Sequence, residues 1–582
     1  MKKSITNSIF VRMLIPTILT NLVTAVGGFS DTVIVGNYLG EKALSSVTFN
    51  SPIFMIINTL AAILAVGGAT AMSVDAGKGK RDTVNRIFSV CLCWGVIISA
   101  VMAILGVVFV DGLVAALGAT GDVAVLVRSY AIVIVAFVPA FILNITFAFF
   151  VRNDGRPKLA MAGMLSAIVI NIVFDIVFVG FCGMGVAGAA WAMVMSQTVS
   201  AIIIGTHFAS KKCTLHFSVA LNPSMLGRIF KNGIGTSMTF IYQTITMLVL
   251  NHIIMSRAGT AGMTVYTVVF NICLIAMSVF EGLSQTIQPI ISVYHGEKNE
   301  IAIKQTMKMA IRTGSMICGV IILLLEVFPG AIASIFGISG GEIMTGAMTA
   351  TRIVAPSIFF MTVNVLLSYY YQSRENRILP FAIVMSRNLI MLLSGVSLLS
   401  LIFGINGVWA GYLFAELMTF AVICIMTAIM RKKDHALKGL LLTKDTGNVF
   451  ARDIGQDREA VQTMLSDANE FLRGHENIRH IAADKAILAM EELTYNIVEY
   501  GKAKDGIRIQ VLLTAEEDRA TLIIRDNAQI FDPTGFNRER QELTPPDKLG
   551  LFLVKKTATC FDYMPTLGFN RTVLVFENGE KA

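Results

Sequence analysis

"FAELMTFAVICIMTAIMRKK", residues 414–433, is an apolar run closed by Arg431, Lys432 and Lys433. It reads as a last membrane span, because about 20 apolar residues cross a bilayer as a helix and a basic flank keeps that end in the cytoplasm. The composition changes here. Residues 1–430 carry 25 Lys/Arg and 15 Asp/Glu, whereas the much shorter stretch 431–582 carries 22 and 24. With 54% of the 582 residues apolar, 15% charged and a mean hydropathy of +0.68, an ordinary soluble globule is excluded. The net charge of +8 belongs to the loops of a membrane domain, not to a nucleic-acid surface. Cys91 and Cys93 are the closest of eight scattered cysteines and point apart on a helix, so no disulfide or zinc framework is readable.

Working back from residue 430, twelve apolar runs can be placed, near 10–36, 44–74, 87–110, 122–151, 159–181, 186–209, 232–256, 262–294, 309–328, 344–371, 378–403 and 407–430. The even-numbered connections hold sixteen Lys/Arg, among them Lys78, Arg152, Arg228 and Arg374, against Lys42 and Arg257 in the odd ones. This bias sets both termini, and the charged tail, in the cytoplasm. The first run follows Lys2 and Lys3 but is too long for a signal-peptide core and has no A-x-A site after it, so it is retained.

The chain repeats at an offset of roughly 220 residues. Phe49-Asn50 recurs as Phe270-Asn271, Ser73-Val74 with Gly77 as Ser292-Val293 with Gly296, Asn144 as Asn364, and Gly185-Val186 as Gly407-Val408. Six spans per copy return the second in the same orientation, the parallel-repeat plan of some transporters. The expected architecture is an all-α polytopic protein with two six-helix lobes, 1–216 and 217–430, around a central cavity, then a basic linker, 431–450, and a soluble α/β two-layer domain, 451–582.

Carboxylates in hydrocarbon cost about 2.5 kcal/mol or more, and those that persist usually face a polar cavity. The candidates are Asp31, Asp175, Glu281, Glu326 and Glu416. Asp31 follows Pro16, a plausible bend, within the first span. Asn171 and Asp175 are one helical turn apart on one face of the fifth. Two carboxylates sharing a poorly solvated site cannot both stay charged, so such a pair can load and unload a proton. Glu281 and Glu416, in the second lobe, suit a cationic substrate or a hydrogen bond to a polar neighbour, and Glu326 suits the water interface. Thirty Met and the runs Phe359-Phe360 and Tyr369-Tyr370-Tyr371 suit either a pliable cavity for apolar cations or ordinary packing.

In the tail, a helical pattern at 480–500 sets Glu492, Asn496 and Glu499 on one polar face, and strand-like runs follow at 507–513 and 520–525. The second runs through Asp526 into "RDNAQIFDP"; "LGLFLVKK" opens a helix at Gly550, and "RTVLVF" reads as a strand.

The stretches "SDTVIVGNYLGEKALSSV" (30–47), "GGATAMSVDAGKGK" (67–80), "NIVFDIVFVGFCGMGVAGAAWAM" (171–193) and "GLSQTIQPIISVYHGEKN" (282–299) resemble the MATE family of multidrug and toxin extrusion antiporters, over about residues 8–430. The resemblance implies an exporter of organic cations driven by H⁺ or Na⁺, in a bacterial plasma membrane. It implies an ion site of Pro16, Asp31, Asn171 and Asp175, with Met193 where many relatives have Thr. "EELTYN", "DNAQIFDP" and "LGLFLV" resemble the GHKL ATP-binding fold, most closely its anti-sigma-factor serine kinases. This implies Glu492 as a base on a water or protein hydroxyl, Asn496 on Mg²⁺, Asp526 on the adenine amine and Gly550 on the phosphates of ATP. It further implies an anti-anti-sigma (STAS-like) protein partner for the tail. Ala528 and Asp547-Lys548 stand where that family usually has glycines. Without a G-x-x-x-x-G-K-[ST] motif, ATP is expected to regulate and not to drive transport. Two other classes fit parts of the pattern: a membrane sensor signalling through its tail, and a lipid-linked-intermediate flippase, which prefers a basic cavity.

Overall fold

The computed structural model describes the chain outside residues 1–3, 40–42, 44–45, 48, 118–120, 212, 336–337, 339, 445–446, 476–477, 479, 504–505, 517, 536–548 and 579–582, and outside the side chains of 26, 28–33, 35–37, 122, 260, 535 and 549. Among the described residues twelve spans, numbered here in chain order, result when each bent pair counts as one. They are Ile5–Leu39, Ser51–Gly77, Arg81–Val108, Val123–Ala136 with Val138–Asn153, Pro157–Phe181, Gly185–Ala209, Pro223–Gly259, Ala261–Gly296, Glu300–Val327, Gly341–Val354 with Ser357–Ser373, Ile378–Phe403 and Ile405–Lys433. Span 7 begins nine residues before its apolar run. Its first turn is set by Pro223 and by the Asn222 side chain, which accepts from the Ser224 and Met225 amides, signals that hydropathy does not carry.

The repeat is visible in the backbone. Span 4 bends by 51° and span 10 by 46°. Pro139 and Pro356 sit at these bends, about one repeat apart, and each removes a helical donor there. Short helices follow span 3 and span 9 at matching places, Val110–Ala116 and Pro329–Ile335. Asn144 donates to Gln197 at 2.6 Å in the first lobe, and Asn364 donates to Glu416 at 2.8 Å in the second, tying span 4 to 6 and span 10 to 12 alike.

At the end of the bundle facing the tail the lobes touch through backbone. A Cβ on Gly77 would lie 2.0 Å from the Val293 carbonyl oxygen, and one on Gly296 would lie 2.0 Å from that of Val74. Only glycine permits this approach. These are the two copies of the repeated Ser-Val-x-x-Gly segment, ending spans 2 and 8. An ion cluster reinforces the seam: Arg228 of span 7 bonds Asp75 of span 2 at 2.7 and 3.1 Å and Glu375 at 2.8 Å.

The tail has five strands, β1 (Val449–Gly455), β2 (Arg508–Ala515), β3 (Arg519–Asp526), β4 (Cys560–Tyr563) and β5 (Asn570–Glu577). They form an antiparallel sheet in the order β1-β2-β3-β5-β4. The helices Arg458–Arg473, His480–Tyr500 and Leu549–Thr557 share one hydrophobic core with it. β2 and β3 are buried on both faces, because the face away from the helices lies on the membrane domain. The stretch expected as a linker is docked: the Tyr370 and Tyr371 hydroxyls donate to the Leu441 and Leu440 carbonyls, each at 2.6 Å.

Candidate coupling and nucleotide sites

Span 5 places Asp175, fully buried, one turn after Asn171, whose amide donates to its carboxylate at 3.2 Å. The α-helix gives way to a π turn at the next residue, Ile176–Phe181, which lengthens the helix by one residue just after the acid. Span 1 is continuous through Pro16. It lies against span 5, with Gly27 facing Ile168. Both are odd-numbered spans and run the same way, so the backbone of Asp31, four residues past Gly27, stands level with Ile172, between Asn171 and Asp175. The Asp31 side chain lies outside the described residues.

A cavity of about 350 Å³ lies between the lobes, lined by Asn21, Arg152, Glu281, Gln285 and Tyr369 among others. Gln285 of span 8 joins the lobes here. Its carbonyl oxygen accepts from Arg152 at 2.7 Å and from Asn21 at 3.2 Å. Arg152, counted above among the loop cations, is in fact 7% exposed and stacks over Phe149 at 4.2 Å. Glu281 faces this cavity; Glu416 does not. Glu416 lines a smaller one, about 110 Å³, inside the second lobe, where Arg387 holds it at 2.7 and 2.8 Å. Arg387 escaped the sequence reading because only carboxylates were weighed inside spans, although a guanidinium in span 11 carries the same cost. Of the tyrosine run, Tyr369 faces the cavity while Tyr370 and Tyr371 hold the linker.

One group of metal-ligand chemistry occurs among the described residues, Asp154, His207 and Cys213. Asp154 accepts from His207 at 2.6 Å and from the Thr214 amide at 3.1 Å, which ties the span 4–5 loop to the chain joining the lobes.

In the tail, the Asn496 amide donates to Glu492 at 2.8 Å, and Gly550 lies so close that a Cβ there would be 2.0 Å from the Glu492 carboxyl carbon. Helix His480–Tyr500 thus brings Glu492 and Asn496 to the start of helix Leu549–Thr557, where free amides suit phosphate. Asp526, 5% exposed at the end of β3, accepts from the Ala528 amide and from Asn570, both at 2.8 Å. Burial holds its carboxyl above the usual range, against those two donors. Asn570, which no motif named, is in turn fixed by the Tyr563 hydroxyl at 2.6 Å. Ala528 packs near Gly501 at the end of the Glu492 helix, which sets the turn after Asp526 against that helix. Asp547 and Lys548 lie outside the described residues.

Twelve spans in two like halves, with a polar cavity between them and a buried aspartate within the first, are the plan of a secondary transporter. The MatE family profile matches residues 16–177 and 234–396, more than half of the chain, and the chain belongs to that family. A second profile, the histidine kinase-like ATPase domain, matches residues 454–575. Among curated proteins, the multidrug export protein MepA of Staphylococcus haemolyticus is 24% identical over 336 residues, 57% of this chain and 74% of the relative. MepA of Staphylococcus aureus strain NCTC 8325 is 25% identical over 350 residues, 60% and 74% of the two chains. A crystallised MATE bound to MaL6 superposes with a TM-score of 0.70 at 22% identity, covering 74% of this chain and 97% of its own. An outward-facing multidrug resistance MATE transporter gives 0.69 at 23%, with the same coverage.

Proposed function

We propose that the protein exports small organic cations across a bacterial plasma membrane in exchange for H⁺ or Na⁺, under the control of a cytosolic ATP-binding tail. Both termini then lie in the cytosol, and the functional units are 1–216, 217–430, 431–450 and 451–582. The buried Asp175, bonded by Asn171, carries this reading, with the Asp31 backbone level with it: a carboxylate at the foot of a π turn is a group that can exchange a cation while the lobes alternate. Glu281 in the interlobe cavity supports a cationic substrate. The test is uptake of a cationic dye into inverted vesicles under separate H⁺ and Na⁺ gradients. Uptake driven by one of them supports the reading, and indifference to both defeats it.

The tail binds ATP with Mg²⁺ in the same reading, with Glu492 acting on a water or on a Ser or Thr of an anti-anti-sigma-like partner. Calorimetry on the full-length protein is expected to show Mg²⁺-dependent ATP binding that Asp526→Asn weakens roughly ten- to a hundredfold, since a charge-assisted hydrogen bond is worth about 1.5–3 kcal/mol. Asn496→Ala removes the Mg²⁺ dependence. Because the Asp526 carboxyl is raised, it protonates earlier than an exposed aspartate as pH falls. Affinity for ATP is therefore full where that carboxyl is ionised and is lost on acidification, at a higher pH than an exposed aspartate would set. Unaltered binding by Asp526→Asn would remove the assignment of the adenine site.

A further inference from the structure

The tail does not hang from span 12; it is seated across the seam. Arg571 of β5 donates through Nη2 to the Gly77 carbonyl at 2.5 Å and through Nε to Glu297 at 2.7 Å. One guanidinium therefore touches the end of span 2 in the first lobe and the residue after span 8 in the second. Arg525 of β3 reaches the same Glu297 oxygen at 2.5 Å and lies 5.1 Å from the Tyr294 ring centre. The Tyr294 hydroxyl bonds Thr6 at 2.9 Å, and Gln510 of β2 donates to Thr6 at 3.2 Å. The carboxylate and both guanidinium side chains are 2% exposed or less. Around this centre, Arg12 donates to the Gly568 and Gly155 carbonyls at 3.3 and 3.0 Å, Arg508 bonds Ser8, and Lys298 pairs with Glu516 at 2.6 Å.

Gly77 and Gly296 are where the two lobes meet backbone to backbone, so any state in which the lobes part at this end must break that contact. With Arg571 in place it must also break bonds of one side chain to both lobes at once. From this we infer that the docked tail is a latch: Glu297, held between Arg525 and Arg571, keeps the tail-facing end closed, and the transporter opens on that side only when the tail lifts. The inference rests on the alternating-lobe reading above and adds its regulation.

The register suggests what moves the latch. Arg525 pairs with Gln510 and Arg571 across the sheet, and the next row along the same strands is Ile509, Asp526 and Asn570. The arginines point to the lobes while Asp526 and Asn570 bond each other at the nucleotide side. The two sites are one residue apart on two strands.

Hydrogen exchange on the full chain in detergent tests the latch without relying on transport. Glu297→Gln removes the one carboxylate charge that both buried guanidinium groups bond directly, so the tail should leave the seam. Amides of residues 77–81 and 294–299 should then exchange at least about tenfold faster, while those of β2 and β3 at the centre of the sheet stay protected as a sign that the tail is folded. Arg571→Gln, which keeps Glu297, should act in the same direction, and the swap Glu297→Arg with Arg571→Glu should restore part of the protection. Efflux by Glu297→Gln should rise at least about twofold. Unchanged exchange at 77–81 and 294–299 in both single variants overturns the latch, as does faster exchange with no rise in efflux by a variant that inserts normally, where the parent protein itself exports. Altered exchange in a protein that exports nothing under any gradient keeps the seam lock and defeats the export reading instead.

Discussion

Asp175→Asn is expected to reduce gradient-driven export at least about tenfold, to the level of leak, while insertion and thermal stability stay near those of the parent. The substitution keeps the volume and the bond from Asn171 but removes the charge that a coupling cation would balance. Asp31→Asn should do the same if its side chain shares the site whose level its backbone occupies. The check is efflux of a cationic dye from vesicles with an imposed gradient, beside binding of the same dye at equilibrium. Binding that persists while coupled efflux disappears assigns Asp175 to the ion and not to the substrate. Normal coupled efflux by Asp175→Asn removes the proposed ion site.

Gly296→Val carries the second large effect. Its Cβ would stand 2.0 Å from the Val74 carbonyl oxygen, and the obstacle is backbone, so no rotamer change relieves it. Overpacking a core costs about 1–3 kcal/mol even where side chains can shift, and more is expected here. A cost of about 3 kcal/mol falling on the closed seam alone moves the balance between seam-closed and seam-open states by roughly a hundredfold. The variant should insert, stay open on the tail side and transport poorly, with a thiol probe reaching that side of the cavity from the tail side only. Gly319→Ala in span 9, where nothing lies within 4 Å of the new Cβ, should behave as the parent. Closure of the seam in Gly296→Val by the same probe would show that the contact is not needed.

The spans and the repeat were legible because each is a local pattern: apolar length, basic loops and small motifs recurring in order. The helix His480–Tyr500 and the strands at Arg508–Ala515 and Arg519–Asp526 were placed for the same reason. β1, Val449–Gly455, was not singled out as a strand, and its first two residues were read as linker. Its burial pattern shows half-buried and exposed positions, typical of an edge strand, and so it carries no apolar alternation. What local reading does not reach is long-range pairing. Glu297 lies 228 residues from Arg525 and 274 from Arg571. One signal was present: "TLIIRD" sets a guanidinium in a strand buried on both faces, which a sheet open to solvent on one side does not need. Pairing also separates two acids that looked alike in sequence. Glu416, matched with Arg387 and Asn364, is a tie inside one lobe, whereas Glu281 faces the space between lobes.

The central claim is that an ion gradient powers export and that the ATP-binding tail governs it. The direct measurement is efflux, under an imposed ion gradient and without ATP, by a chain stopped after Lys444, beside full-length protein carrying Glu492→Ala. Stopping there keeps the Leu440 and Leu441 carbonyls on Tyr371 and Tyr370. The account predicts that both chains insert and export, the truncated one at least as fast as the parent because the seam is unlatched. Loss of export in both, with normal insertion, would mean that nucleotide turnover in the tail powers the transporter, and would contradict it.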